Sequence, residues 1–171
     1  MALDPSLIGR TFPPTEPYDV SRHEIAEFAA AVGYAGPGGE QAPPTFPIVV
    51  AFRAMTALMH DPEVGIELRN VVHADQRFEA RRPVRAGDVL TARLQIEKLR
   101  HMAGTDIIST RSDIATTDGE HVCSAYATLA HRSGEERATI PRPHGGREVP
   151  PERVDERDNR DRSGSGEEAP A

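Results

Sequence analysis

The longest apolar run in the chain extends from Ile48 to Met59, where only Arg53 and Thr56 interrupt Ile, Val, Ala, Phe, Met and Leu. The run is too long for an ordinary strand. A helix apolar on nearly every side has no face to offer water, so the pattern predicts a central helix enclosed by the rest of the fold. It is entered through Ala42-Pro43-Pro44-Thr45-Phe46-Pro47, in which Thr45 is a good N-cap and Pro47 a tolerated first-turn residue. Upstream, Ser21 and Glu24 have the spacing of a capping box, and Ile25, Phe28, Ala29 and Val32 follow as one stripe that ends at Gly33. That narrow stripe predicts a second helix lying on the surface. Leu7 to Phe12 reads as a short strand or turn, and Tyr18-Asp19-Val20 leads into the surface helix.

After His60 the period changes from helical to alternating. In Val71 to Arg81, Val72, Ala74, Phe78 and Ala80 share one parity and are expected to face the helix; His73, Asp75, Arg77 and Glu79 share the other. In Val89 to Lys98 the inward set is Leu90, Ala92, Leu94 and Ile96. Asp106 to Thr117 alternates weakly, with Ile108 and Ile114 in phase, and closes at the hairpin signal Thr117-Asp118-Gly119. In His121 to His131, Cys123, Ala125, Ala127 and Leu129 share a face whose small residues let a helix lie close. One long buried helix followed by an antiparallel sheet that wraps it is the α+β arrangement called the hotdog fold, expected here over residues 1–132. From Ser133 to Ala171 Pro, Gly, Arg, Glu and Asp dominate and aromatics vanish, so this tail is expected to be disordered and solvated.

The formal charge of -7 argues against nucleic-acid binding; the basic residues are scattered among acids, and Lys98 is the only lysine. No segment has the apolar length of a membrane span, and the start lacks a basic region leading into an apolar one, which points to the cytoplasm. Cys123, the only cysteine, excludes an internal disulfide and reads as a small buried residue.

Several residues could carry chemistry. His73 and Asp75, two apart on one face of a strand, could pair as acid and base, although Arg77 and Glu79 share that parity and suit a solvated or interface face. Gln76 interrupts an inward set, and a buried amide must find partners, either structural or on a substrate. Gly87-Asp88 most simply turns the chain after Pro83, with direct substrate contact as the alternative. Gly36 to Gly39 reads as a surface loop, because neither a preceding strand nor a Lys-Ser/Thr sequence accompanies it. The remaining histidines, His101 and His131 among them, show no ligand or carboxylate spacing above that of surface positions, so no metal and no cofactor are expected.

The order of Ala42-Pro43-Pro44-Thr45-Phe46, Asp75-Gln76-Arg77-Phe78 and Pro83 to Asp88 around one buried helix resembles the MaoC-like dehydratase family. More narrowly, it resembles the N-terminal MaoC-like half and the first subunit of mycobacterial heterodimeric 3-hydroxyacyl-carrier-protein dehydratases. The resemblance implies reversible removal of water from a 3-hydroxyacyl thioester of acyl carrier protein or coenzyme A. That reaction needs a base for the C2 proton, an acid for the leaving hydroxyl, and donors at the helix start to hold the thioester carbonyl. Active family members carry an Asp and a His five apart before the helix. Here the corresponding segment, Gly33 to Thr45, has no histidine, and Glu40 is its only acid.

The resemblance therefore implies a non-catalytic subunit paired with a hotdog partner that supplies the dyad. Pro44, Thr45, Phe46, Val50, Met55, Gln76, Gly87 and Asp88 would be its acyl-channel contacts. Two alternatives remain open: a homodimeric hydratase or thioesterase working from His73, Asp75 or Glu40, and a non-enzymatic acyl-thioester-binding scaffold.

Overall fold

In the computed structural model, which describes residues 2–36 and 39–132, the chain begins with a 3-10 turn at Pro5–Leu7 and a short strand β1 (Tyr18–Asp19). Helices α1 (Arg22–Ala31) and α2 (Ile48–His60) follow, then a 3-10 turn at Leu68–Asn70 and four strands: β2 (Val71–Ala80), β3 (Val89–Met102), β4 (Thr105–Thr116) and β5 (His121–Arg132). The tail from Ser133 lies outside the described residues, as do Met1 and, in the glycine-rich loop, Pro37 and Gly38.

The sheet is antiparallel in the order β1-β3-β4-β5-β2, which leaves β2 as its long edge. Strand β3 runs beyond the expected Lys98, because Ala103 and Gly104, with φ of 48° and 75°, turn it directly into β4. Both residues of that turn have positive φ, the geometry that matches the right-handed twist of a two-residue hairpin.

Helix α2 packs on β3 and β4. Val50, Ala51, Ala54, Met55 and Leu58 are buried with Leu90, Ala92, Leu94, Ile96, Ile108 and Ile114. Each large aliphatic side chain buried here contributes roughly 1.5–3 kcal/mol of transfer free energy. The inward set of β3 is the expected one, and on β5 Cys123, Ala125, Ala127 and Leu129 are all buried. The capping box of α1 also forms: Ser21 Oγ accepts from Glu24 N at 3.1 Å, and Ser21 N donates to Glu24 Oε2 at 3.0 Å.

Three expectations need correction. Helix α2 is not enclosed on every side: Phe52 is 50% exposed, and with partly buried Val49, Thr56 and Met59 it forms a stripe at helical spacing that the described residues leave open. The sheet reaches only one flank of the helix, so its apolar circumference exceeds the burial that the described residues provide. On β2, Val72 points outward and is 64% exposed, because an irregularity between His73 and Asp75 shifts the register of this strand against β5. Thr45 does not cap α2; the cap position is Pro47, without a side-chain hydrogen bond.

Candidate functional site

At the entry to α2 the chain forms a tight turn before the helix proper. Phe46 N donates to Pro43 O, Ile48 N to Thr45 O, Val49 N to Phe46 O and Ala51 N to Pro47 O, at 2.9–3.1 Å. Those donors are engaged within the backbone, and a proline has no N–H to add. Pro44 and Thr45 are exposed, whereas Phe46, Val50 and Met55 are core residues with 1%, 0% and 1% exposure. The resemblance to the dehydratase family implies that those three line an acyl channel. Phe28 meets Phe46 edge-on at 5.3 Å, and Tyr18 lies 6.5 Å from it. Glu40, the only acid of the preceding segment, pairs at the surface with Arg22.

The β2 irregularity also settles where the two candidate acid–base residues stand. His73 is in register with buried Leu129, on the inward face, while Asp75 is in register with Thr128 on the outward face. The alternation that put them on one face fails because one extra residue, Ala74, lies between them. Gln76, Phe78 and Ala80 then face inward, opposite Ala127, Ala125 and Cys123. Gln76 Oε1 is buried without a hydrogen-bond partner among the described residues, and Nε2 makes only a 3.4 Å contact with Arg77 O.

Gly87-Asp88 builds a corner. Gly87, at φ 91°, donates its N–H to Val20 O at 2.8 Å, and Val20 N returns a bond to Asp88 O at 2.8 Å. Asp88 accepts from Arg82 through both oxygens, at 2.8 and 3.0 Å, and from Arg85 N at 2.8 Å; Arg82 also reaches both oxygens of Glu120 at 2.9 Å. Burial pushes the Asp88 carboxyl upward, but the Arg82 and Arg85 hydrogen bonds outweigh it and hold the group below the usual carboxylate range.

A depressed folded-state pKa stabilises the protein above the unfolded value, and that contribution is lost as pH falls through the folded value. Replacing Arg82 by Met should cost about 2 kcal/mol at pH 7, less than a fully buried pair because both side chains are partly hydrated. The gap between the variant and the parent should narrow below about pH 4. Urea titrations at pH 7 and at successively lower pH test this; a gap independent of pH would refute it.

Two polar clusters have no counterpart in the local sequence pattern. Asp106, 1% exposed, lies on the inward face between β3 and β5. Its Oδ1 is 2.7 Å from His101 Nδ1, its Oδ2 accepts from Leu3 N at 3.3 Å, and His131 Nδ1 is 3.6 Å away, too far for a hydrogen bond. His131 Nε2 accepts from Glu67 N at 3.3 Å, so its proton belongs on Nδ1. His101 is thus a carboxylate partner and His131 a buried neighbour of the same carboxylate, and the signal that joins both to Asp106 is cross-strand register.

The second cluster is on the outward face, where Ser124 Oγ donates to Asp113 Oδ1 at 2.7 Å and stands 3.0 Å from His121 Nε2. A hydrolytic triad would have the acid on the far nitrogen of the imidazole; here it holds the serine proton itself, so the serine is tied rather than activated. Beside it, the Arg77 and Arg111 guanidiniums lie 4.2 and 5.9 Å from the Tyr126 ring.

Tyr18 OH donates to Glu24 Oε1 at 2.9 Å beneath the Arg53 guanidinium, and burial together with that carboxylate pushes its hydroxyl up to about 12. Cys123 is fully buried, and burial pushes its thiol up to about 11, which makes it an inert core residue. A shallow cavity of about 310 Å³ lies between Pro13, Pro14, Thr15 and Glu16 and the Arg53 and Ala57 flank of α2. Among the described residues no group of three His, Cys, Asp or Glu side chains is disposed to hold a metal ion, and no helix is long and apolar enough to cross a membrane.

Comparison with known proteins gives this architecture a family. Residues 6–125 match the model of the FAS1-like dehydratase domain region. A UPF0336 protein of Streptomyces coelicolor is 44% identical over 149 residues, covering 80% of this chain and 99% of its own length. One from Cutibacterium acnes is 39% identical over 142 residues, covering 81% and 100%. Among solved structures, a chain of the C-terminally truncated HadBC (3R)-hydroxyacyl-ACP dehydratase complex of Mycobacterium tuberculosis matches at a TM-score of 0.60 and 33% identity, covering 72% of this chain and 96% of that one. A MaoC-like dehydratase shares the fold at a TM-score of 0.62 and 24% identity, over 75% of this chain and 43% of its own. The chain therefore belongs to the MaoC-like dehydratase family, with the hotdog arrangement of one long helix against a curled antiparallel sheet.

Proposed function

We propose that this chain is the subunit of a 3-hydroxyacyl-thioester dehydratase that lacks the catalytic dyad. It would work in cytoplasmic fatty-acid metabolism beside a hotdog partner that supplies Asp and His. The observation that carries this reading is the dispersal of its own candidate acids and bases: Glu40 is paired at the surface with Arg22, and His73 and Asp75 stand on opposite faces of β2. Elimination requires a base at C2 and an acid at the 3-hydroxyl of one bound substrate, and these groups do not converge. Two features support a partner. Strand β2 is a ten-residue edge with unpaired backbone groups, and the α2 stripe of Val49, Phe52 and Met59 is open and apolar. The channel surface offered by this chain is then that stripe with His73, Gln76 and Phe78, in place of the enclosed Phe46, Val50 and Met55.

A second reading, a self-sufficient homodimer, is favoured by one observation: Asp106 orients the His101 ring through Nδ1, and that ring is 45% exposed. The chain should be assayed alone and co-purified with a hotdog protein bearing the Asp–His pair, following the 2-enoyl thioester formed from a 3-hydroxyacyl thioester. The lone chain should be inert and the complex active, with activity abolished by replacing the partner's catalytic histidine. Turnover by the lone chain at the rate of the complex, lost on His101→Ala, would establish the homodimer instead.

A further inference from the structure

We infer that Gln76 is a specificity-determining residue that reads an amide of the thioester's pantetheine arm; this rests on the dehydratase reading above. Its Oε1 is buried with no hydrogen-bond partner among the described residues, and its Nε2 is held only by a 3.4 Å contact. A buried acceptor left unmade is destabilising, so its retention calls for a donor that arrives from outside the described residues.

The surroundings narrow that donor. Gln76 is in register with Ala127, and its neighbour on the same face, Phe78, is in register with Ala125. Ala127 and Ala125 carry no polar side-chain atom to answer the amide, and their small size leaves room for a slender chain. A second subunit that extends the β2 edge would supply backbone donors in the plane of the sheet. Gln76 instead projects out of that plane, toward the inward face.

In a 3-hydroxyacyl pantetheine thioester the donors are the 3-hydroxyl, the two amide N–H groups of the arm and the pantoyl hydroxyl at its far end. The 3-hydroxyl is the leaving group and must meet the catalytic acid. Of the arm's donors, an amide is the one a glutamine matches with both of its polar atoms, since Oε1 accepts its N–H while weakly held Nε2 can donate to its carbonyl. Gln76 would act as a positioning residue, outside the proton transfers.

The test uses the co-purified complex with two 3-hydroxyacyl substrates, an N-acetylcysteamine thioester that carries one amide and an S-butyl thioester that carries none. Gln76→Met keeps the length of the side chain and removes both polar atoms; Gln76→Glu keeps an acceptor. With the N-acetylcysteamine substrate, Gln76→Met should raise KM roughly tenfold at unchanged kcat, the loss of one hydrogen bond, and Gln76→Glu should recover part of that loss. With the S-butyl substrate neither variant should differ from the parent.

Equal changes for both substrates would overturn the inference and indicate contact with the acyl hydroxyl. Dissociation of the Gln76→Met complex on size exclusion would overturn it in favour of a partner donor. A parent complex that turns over neither substrate would remove the dehydratase reading and this inference together, a result distinct from either of the others.

Discussion

Replacing Phe46 by alanine is expected to lower stability by about 3–5 kcal/mol and the thermal midpoint by roughly 10–20 °C. The ring is 1% exposed and joins three elements: Phe28 of α1 meets it edge-on at 5.3 Å, Tyr18 of β1 approaches it at 6.5 Å, and it stands in the turn that opens α2. Truncation removes the transfer free energy of the ring and the edge-on contact, which adds about 0.5–1.5 kcal/mol beyond burial. It also leaves a cavity that prolines 43, 44 and 47 prevent the backbone from closing. Phe46→Leu should cost no more than about 1–2 kcal/mol. Calorimetry on the purified chain checks both variants. If Phe46 were instead a wall of an acyl channel with little structural weight, the alanine variant would keep its midpoint and change only substrate KM in the complex.

The architecture was legible because its large side chains obey simple periods. The α2 run, the Ser21–Glu24 box and the inward row of β3 are local patterns, and each formed where the spacing put it. The candidate site was less legible for physical reasons that no local pattern carries. One extra residue at Ala74 sends His73 and Asp75 to opposite faces, and alternation cannot register an insertion whose neighbours on both sides are polar.

Strand β4 shows the same limit from another side. Asp106, Thr110 and Ser112 share the buried parity with Ile108 and Ile114, which is why its alternation looked weak. These polar groups find partners on β3, β5 and the N-terminal segment, or none at all, and that is a matter of register between strands distant in sequence. The apolar circumference of α2 predicts enclosure by the rest of the fold. The open stripe at Phe52 turns that excess apolarity into the strongest argument for a partner.

Asp106→Ala should produce the second large loss, about 3–5 kcal/mol, because it removes the acceptor on which three elements converge. In the parent, the carboxylate faces His101 Nδ1 at 2.7 Å and Leu3 N at 3.3 Å, with His131 Nδ1 at 3.6 Å, inside an environment that leaves Asp106 1% exposed. Without it, the Leu3 N–H loses its acceptor among the described residues, and the buried His131 Nδ1, already without a hydrogen bond, loses the carboxylate 3.6 Å away. His101→Ala, by contrast, removes a half-exposed partner that water can replace, and should cost about 1 kcal/mol or less. The double replacement Asp106→Leu with His131→Leu should recover only part of the loss, since it removes the unpaired ring but leaves the Leu3 and Glu67 amides without their acceptors. Urea unfolding ranks the three variants, and hydrogen exchange at the Leu3 amide supplies a local readout: protection should vanish in Asp106→Ala and persist in His101→Ala. An Asp106→Ala variant within about 0.5 kcal/mol of the parent, with the Leu3 amide still protected, would mean that the N-terminal segment is pinned by its apolar contacts alone.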